Sequence, residues 1–175
     1  MNSTSLDMLL DVIDQGFDRQ PWHGPNLRGS IRGVTFDQAL WRPQPERHSI
    51  WEHVLHAAYW KYTVRRRILG EKRGSFLRKG SNWIIPLQTT AAAWRRDVEL
   101  LVETHESMRA AIADVSPAQL PKRLPRAKIT YFFLISGVAA HDVYHAGQIQ
   151  LLKTSAEVTG SRRRRGQFGR PPSVV

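Results

Sequence analysis

The chain has 175 residues, of which 41% are hydrophobic and 23% charged, as expected for one compact domain with a substantial core. It contains no cysteine, which excludes structural disulfides, thiolate metal sites and a cysteine nucleophile, so any metal ion must be held by nitrogen and oxygen ligands. The formal net charge of +11 raises the question of nucleic-acid binding.

The N-terminal part of the chain predicts a helix that is interrupted early. Apolar residues recur at helical spacing over residues 6–17, and the pattern resumes from Leu27. Between them, residues 20–25 contain two prolines and a glycine, so we expect a kinked N-terminal helix. A histidine in such a loop is usually exposed, but a kink could aim His23 into the mouth of a bundle as an extra ligand or general acid–base.

Three longer amphipathic helices follow. The first runs from about 49 to 69 and stops at Gly70, the second lies between 86 and 115, and the third spans roughly 130–156. The connection over residues 70–85 is longer than a minimal bundle turn. Strand-like alternation is lacking throughout, and long amphipathic helices joined by loops are typical of an all-α, antiparallel four-helix bundle.

The C-terminal segment carries a large share of the positive charge. Arg162–Arg165 and Arg170 lie among Gly and Pro residues, and without these five charges the net charge is +6. We therefore predict a bundle over residues 1–158 and a disordered basic tail over 159–175. The arginine run could contact nucleic acid, although a solvated appendage is the favoured interpretation.

Neither end of the chain nor its interior suggests a membrane protein. The N-terminus lacks the apolar core of a signal peptide, and no apolar run approaches the roughly 20 residues needed to span a bilayer. We expect a cytoplasmic location and no membrane partner.

Two histidines in the last helix are the strongest candidates for chemistry. His141 and His145 lie one helical turn apart within an apolar stripe that includes Val138 and Ile149. A buried neutral imidazole has one donor and one acceptor to satisfy. Backbone or carboxylate partners would satisfy them, and so would a metal ion shared with a third ligand from another helix.

The helix predicted over residues 49–69 offers two candidates for that third ligand. His56 shares its face with Glu52 and Trp60, a mixed surface, whereas His53 lies closer to the apolar stripe. Helical periodicity leaves the choice between His53 and His56 open.

Two motifs together resemble the DinB-like (YfiT-like) metal-binding family of damage-inducible helical proteins. A Ser49-Ile50 pair opens the helix predicted over residues 49–69. A His-x-x-x-His-x-Gly-Gln-Ile motif covers residues 141–149. In the family pattern the first ligand lies seven residues after the serine. The resemblance therefore places the three ligands at His56, His141 and His145.

Two further segments carry the same resemblance, which covers about residues 22–153. They are Trp22-His23-Gly24-Pro25 and Trp41-Arg42-Pro43. The resemblance implies a four-helix bundle that holds one divalent ion, zinc or nickel, through three imidazoles with water at the open positions. It also implies a low-molecular-weight thiol as co-substrate, since some relatives are thiol-dependent transferases.

The function expected from this resemblance is that of a metal-dependent thiol transferase or a related hydrolase, in a homodimer with an unknown small-molecule substrate. The principal alternative is a non-catalytic binding protein, either a small-molecule sensor or a nucleic-acid accessory that uses its arginine tail. A third alternative is an interaction module whose metal site is empty in the cell.

Several residues are candidates for supporting roles around the ion. Glu52 could orient His56 by accepting its free N–H, or could pair with a nearby arginine. His53 could be a neighbour of a ligand, and Tyr144 could donate to metal-bound water or simply pack. Three tryptophans could line a substrate pocket or fill the core: Trp22, Trp60 and Trp83.

Overall fold

The computed structural model describes residues 4–72 and 74–167, with side chains described as far as residue 159. Within these ranges the chain is helical, and a single residue pair, Arg123 with Thr130, forms a β-bridge. The helices are α1 (Ser5–Phe17), α2 (Leu27–Ser30), α3 (Phe36–Leu40), α4 (Ile50–Ile68), α5 (Ala91–Ala113), a 3-10 turn at Pro117–Gln119, and α6 (Tyr131–Gln167).

Local sequence fixes the start and the end of α4, the helix that carries the two candidate ligands His53 and His56. The Ser49 hydroxyl accepts from the N–H of Glu52 at 3.3 Å, and the Glu52 carboxylate accepts from the N–H of Ser49 at 2.8 Å, which forms a capping box. Gly70 follows the last turn with a φ of 67°, a left-handed conformation that suits glycine. These two features fix where α4 begins and ends.

The four long helices α1, α4, α5 and α6 form a bundle, which confirms the predicted all-α architecture. In it α4 packs against α5 and α6, and α1 packs against the same two helices on the other side. Trp51 near the start of α4 contacts Trp94 near the start of α5, with ring centroids 5.4 Å apart, and Val64 and Met108 share one core cluster further along. Helices α4 and α5 therefore run parallel.

The parallel arrangement refines the antiparallel prediction and explains the long connection after α4. His53 and His56 on α4 contact His145 and His141 on α6 in reverse order, so α4 and α6 are antiparallel. The chain that leaves α4 must return along the bundle before α5 can begin beside the start of α4. The connection from residue 69 to 90 makes this return.

A polar layer separates two apolar core clusters, one around Trp51 and one around Ile135. Its centre is a fully buried ion pair between Lys61 on α4 and Asp142 on α6. The Lys61 ammonium also lies 4.9 Å from the centre of the Phe17 ring. Burial lowers the pKa of Lys61 and raises the pKa of Asp142, since desolvation outweighs their mutual attraction.

The two ends of the chain differ in detail from the sequence predictions. The break near residues 18–26 is wider than a kink, so α1 and α2 are separate helices. Helix α6 continues beyond 156 to Gln167 and includes the first part of the predicted tail, while residues 168–175 lie outside the described residues. Among the described residues, no helix combines the length and apolar character required to cross a membrane.

Candidate metal centre

Three imidazoles from two helices converge at one point between α4 and α6. The Nε2 atom of His141 lies 3.1 Å from the Nε2 of His56 and 3.1 Å from the Nε2 of His145. The three candidate ligand atoms all lie within 4.8 Å of one another. The histidines that the resemblance singled out are therefore brought together.

The rotation of α4 about its own axis places His56 in the cluster and His53 beside it. The ring of His56 joins the cluster, whereas His53 lies behind it, with its Nδ1 atom 2.9 Å from the Nδ1 of His145. Both side chains are buried. His53 therefore supports His145 and does not face the centre of the cluster.

Hydrogen bonding assigns the tautomer of His56. Its Nδ1 atom lies 3.0 Å from the backbone carbonyl oxygen of Asn82, which can only accept, so Nδ1 carries the proton. In the neutral ring Nε2 then presents a lone pair to the cluster. By the same logic, a lone pair on Nε2 of His145 requires its Nδ1–H to donate to Nδ1 of His53.

Burial keeps these rings neutral at physiological pH. Burial, with a smaller contribution from neighbouring histidines, lowers the pKa of His53 and His141 to about 4 and that of His145 to about 2. The pKa of His56 is lowered as well, again chiefly by burial. Neutral imidazole is the form that binds metal ions.

The spacing of the nitrogens fits a divalent cation. Two imidazole nitrogens bound tetrahedrally to zinc, each at about 2.0–2.1 Å, lie about 3.3–3.4 Å apart. The two Nε2 separations that involve His141, 3.1 Å each, are within a few tenths of an ångström of that value. The three-histidine cluster could therefore hold a divalent metal ion.

The connection between α4 and α5 supplies two residues that contact the cluster. Trp83 stacks on the His56 ring with a centroid distance of 3.9 Å and on the His48 ring at 3.6 Å. Asn82, at a φ of 59°, presents its carbonyl to His56 and accepts from Nε1–H of Trp60 at 3.0 Å through its side chain. Trp83 was a sequence candidate, but no local pattern marks Asn82, because its contacts are set by the path of the connection.

Glu52 has a different role from the one predicted. Its carboxylate accepts from the N–H of Ser49 and pairs with Arg42 at 2.7 Å, and it is almost fully buried. The Asn82 carbonyl takes the position next to His56 that was predicted for Glu52. The alternative prediction, a pair with a nearby arginine, describes the observed contact, although the pair is not at the surface.

The remaining candidates are divided between the site and the surface. Tyr144 is mostly exposed and meets the edge of the His145 ring, with centroids 5.0 Å apart. Trp22 is 97% exposed and His23 is exposed beside it, so neither lines the site as predicted. The reason is that the loop between α1 and α2 points outward, where a kinked helix would have pointed into the bundle.

A mostly apolar groove of about 210 Å³ opens beside the cluster, between α4 and α6. His141 belongs to both the cluster and the groove, and it is the most exposed of the three histidines. Among the described residues that line the groove, Arg67 is the one with a charged side chain. The other side chains that line it include Trp60, Val64, Phe133, Leu134 and Val138.

Replacing His53 by phenylalanine is expected to weaken metal binding by about 10–100-fold without abolishing it. Phenylalanine keeps the ring volume in this buried position but cannot accept the hydrogen bond that orients His145. Competition titration with a chromogenic chelator measures the change. Unaltered affinity would show that His53 has no part in orienting His145.

Comparison with known proteins supports the family resemblance. A family model described as the DinB superfamily matches residues 22–149. No curated protein and no solved structure matches the chain.

Proposed function

This chain belongs to the DinB superfamily, and on that premise we propose that it is a metal-dependent transferase that joins a low-molecular-weight thiol to an apolar electrophile. The observation that carries the proposal is the position of His141, which faces the three-histidine cluster on one side and the apolar groove on the other. A reacting atom at the cluster would therefore have an apolar binding surface directly beside it.

The cluster supplies the reactive end of the proposed site. A divalent ion held by three neutral imidazoles, with zinc and nickel as the two candidates, would keep its full double charge and so lower the pKa of a thiol or of water beside it. His56 is oriented by the Asn82 carbonyl and His145 by His53, so two of the three rings are fixed before any ligand arrives.

The groove supplies the binding end. The indole N–H of Trp60 is already donated to the Asn82 side chain, which fixes the orientation of the ring in the groove wall. The neighbouring aliphatic side chains favour an apolar portion of the substrate over a polar one. Water as the attacking group would give a related hydrolase from the same arrangement.

The proposal is tested by turnover of 1-chloro-2,4-dinitrobenzene with glutathione, cysteine, bacillithiol and mycothiol, in protein loaded with zinc or nickel. We expect turnover that requires the metal and one of these thiols, in which the thiol sulfur bonds to the ring carbon, the C–Cl bond breaks, and chloride and the thiol proton leave to solvent. Trp60→Ala should lower kcat/KM about tenfold, because an aromatic contact contributes roughly 0.5–1.5 kcal/mol beyond its area.

Trp22→Ala is the matched control, since Trp22 is a tryptophan in the loop before α2 and is almost fully exposed. It should leave kcat/KM unchanged. Metal-loaded protein that turns over this electrophile with none of the four thiols would contradict the transferase proposal, and hydrolysis of an apolar ester in their absence would favour the hydrolase.

A further inference from the structure

The outward face of α6 carries an exposed apolar stripe with a regular spacing. Its residues alternate in steps of four and three, the spacing of a helix that packs lengthwise against another helix. The three large side chains are 62–67% exposed. The stripe consists of Phe133, Gly137, Ala140, Tyr144, Gly147 and Leu151.

No neighbouring atom within one copy of the chain requires either glycine of the stripe. A Cβ atom at Gly137 or at Gly147 would meet nothing within 4 Å. Glycine in a helix interior weakens the helix relative to alanine. A close approach by something outside the chain would account for both positions.

The stripe is uncharged, and this suits a second copy that carries the same positive net charge. The protein has a formal net charge of +11, so two copies repel each other over most of their surface. Between residues 131 and 152, α6 contains one residue of the types Asp, Glu, Lys and Arg, which is Asp142, buried against Lys61. This face offers a second copy apolar contact without facing charges.

We propose that α6 pairs with α6 of a second copy, antiparallel, about a two-fold axis that passes at the level of Asp142. In that register Gly137 faces Gly147 of the second copy, and Ala140 faces Tyr144. Phe133 faces Leu151. The two glycines therefore meet each other, and the small Ala140 side chain leaves room for the Tyr144 ring. The same patch is used by both copies, as a two-fold interface requires.

This pairing extends the candidate site of the proposed function. Phe133 and Gly137 belong to the stripe and also line the groove beside His141. The second copy's α6, over residues 147–151, then runs along the open side of the groove and supplies an outer wall. The pairing concerns association alone, so its test does not depend on turnover.

Sedimentation velocity of the full chain tests the pairing. We expect the wild type to sediment as a dimer at micromolar concentration, and Tyr144→Lys to raise the dimer Kd about 30-fold or more, because it places a charge at the centre of the interface. Circular dichroism checks that the variant keeps its helical content. Met8→Lys, which puts the same charge on an equally exposed apolar position of α1, is the matched control and should remain dimeric.

Engineered cysteines test the register, and the chain offers a clean background because it has none of its own. We expect Gly137→Cys protein mixed with Gly147→Cys protein to form a disulfide between the two chains under mild oxidation, since bridged Cα atoms must lie about 4.4–6.8 Å apart. Neither variant should cross-link efficiently to itself. A monomeric wild type, a dimer unaffected by Tyr144→Lys, or preferential cross-linking of Gly137→Cys to itself would each overturn the proposal.

Discussion

Replacing His145 by alanine is expected to lower the affinity for zinc or nickel by more than about 100-fold, beyond the range seen when a neighbour of a ligand is removed. The variant loses one of three converging nitrogens, and it also leaves His53 without its partner in the buried layer. Elemental analysis of the purified protein, together with chelator competition, measures the loss. His56→Ala should behave in the same way, because its Nε2 atom faces the same point.

The control for these variants is His23→Ala. His23 is exposed in the loop before α2 and lies outside the cluster, so metal content should match that of the wild type. Equal occupancy in the wild type and in His145→Ala would mean that the three imidazoles do not hold the ion.

The second large effect concerns stability. Lys61→Met is expected to lower the free energy of unfolding by about 3–5 kcal/mol, because it leaves Asp142 buried without its partner. One carboxylate oxygen of Asp142 already lacks a hydrogen-bond partner among the described residues, so no nearby donor is placed to replace the ammonium. Urea denaturation followed by circular dichroism measures the change.

Two further variants separate the buried charge from other effects of the substitution. Arg65→Met removes another basic side chain of α4, which forms a more exposed pair with Glu71 in the connection after the helix, and should cost no more than about 1 kcal/mol. The double variant Lys61→Met/Asp142→Val should recover most of the lost stability, because apolar replacement of a buried pair is often neutral. If Lys61→Met and Arg65→Met had the same free energy of unfolding, the buried ion pair would contribute no more to stability than the exposed pair does.

The start and the end of α4 follow from local sequence, and this is why the prediction of its bounds succeeds. Ser49 with Glu52 marks the start of α4, and Gly70 marks its end, through hydrogen bonds and backbone preferences that span only a few residues. Four-residue spacing likewise places His141 and His145 on one face of α6 whatever surrounds that helix.

Contacts between distant segments could not be predicted in this way. Glu52 satisfies the criteria for a partner of His56, yet it is occupied by the cap and by Arg42. The carbonyl of Asn82 fills that role, and any residue type has a carbonyl, so no sequence pattern identifies it. The choice between His53 and His56 likewise depends on which side of α4 faces α6.

The parallel course of α4 and α5 has a consequence for how such a site can diversify. Helix α4 has 19 residues and is about 28 Å long, a distance that about nine extended residues can cover. The return segment from residue 69 to 90 is more than twice that length. The residues beyond those needed to cover this distance form the bend that brings Asn82 and Trp83 against His56. Substitutions in this bend can therefore change the surroundings of the site without altering the contacts between the helices.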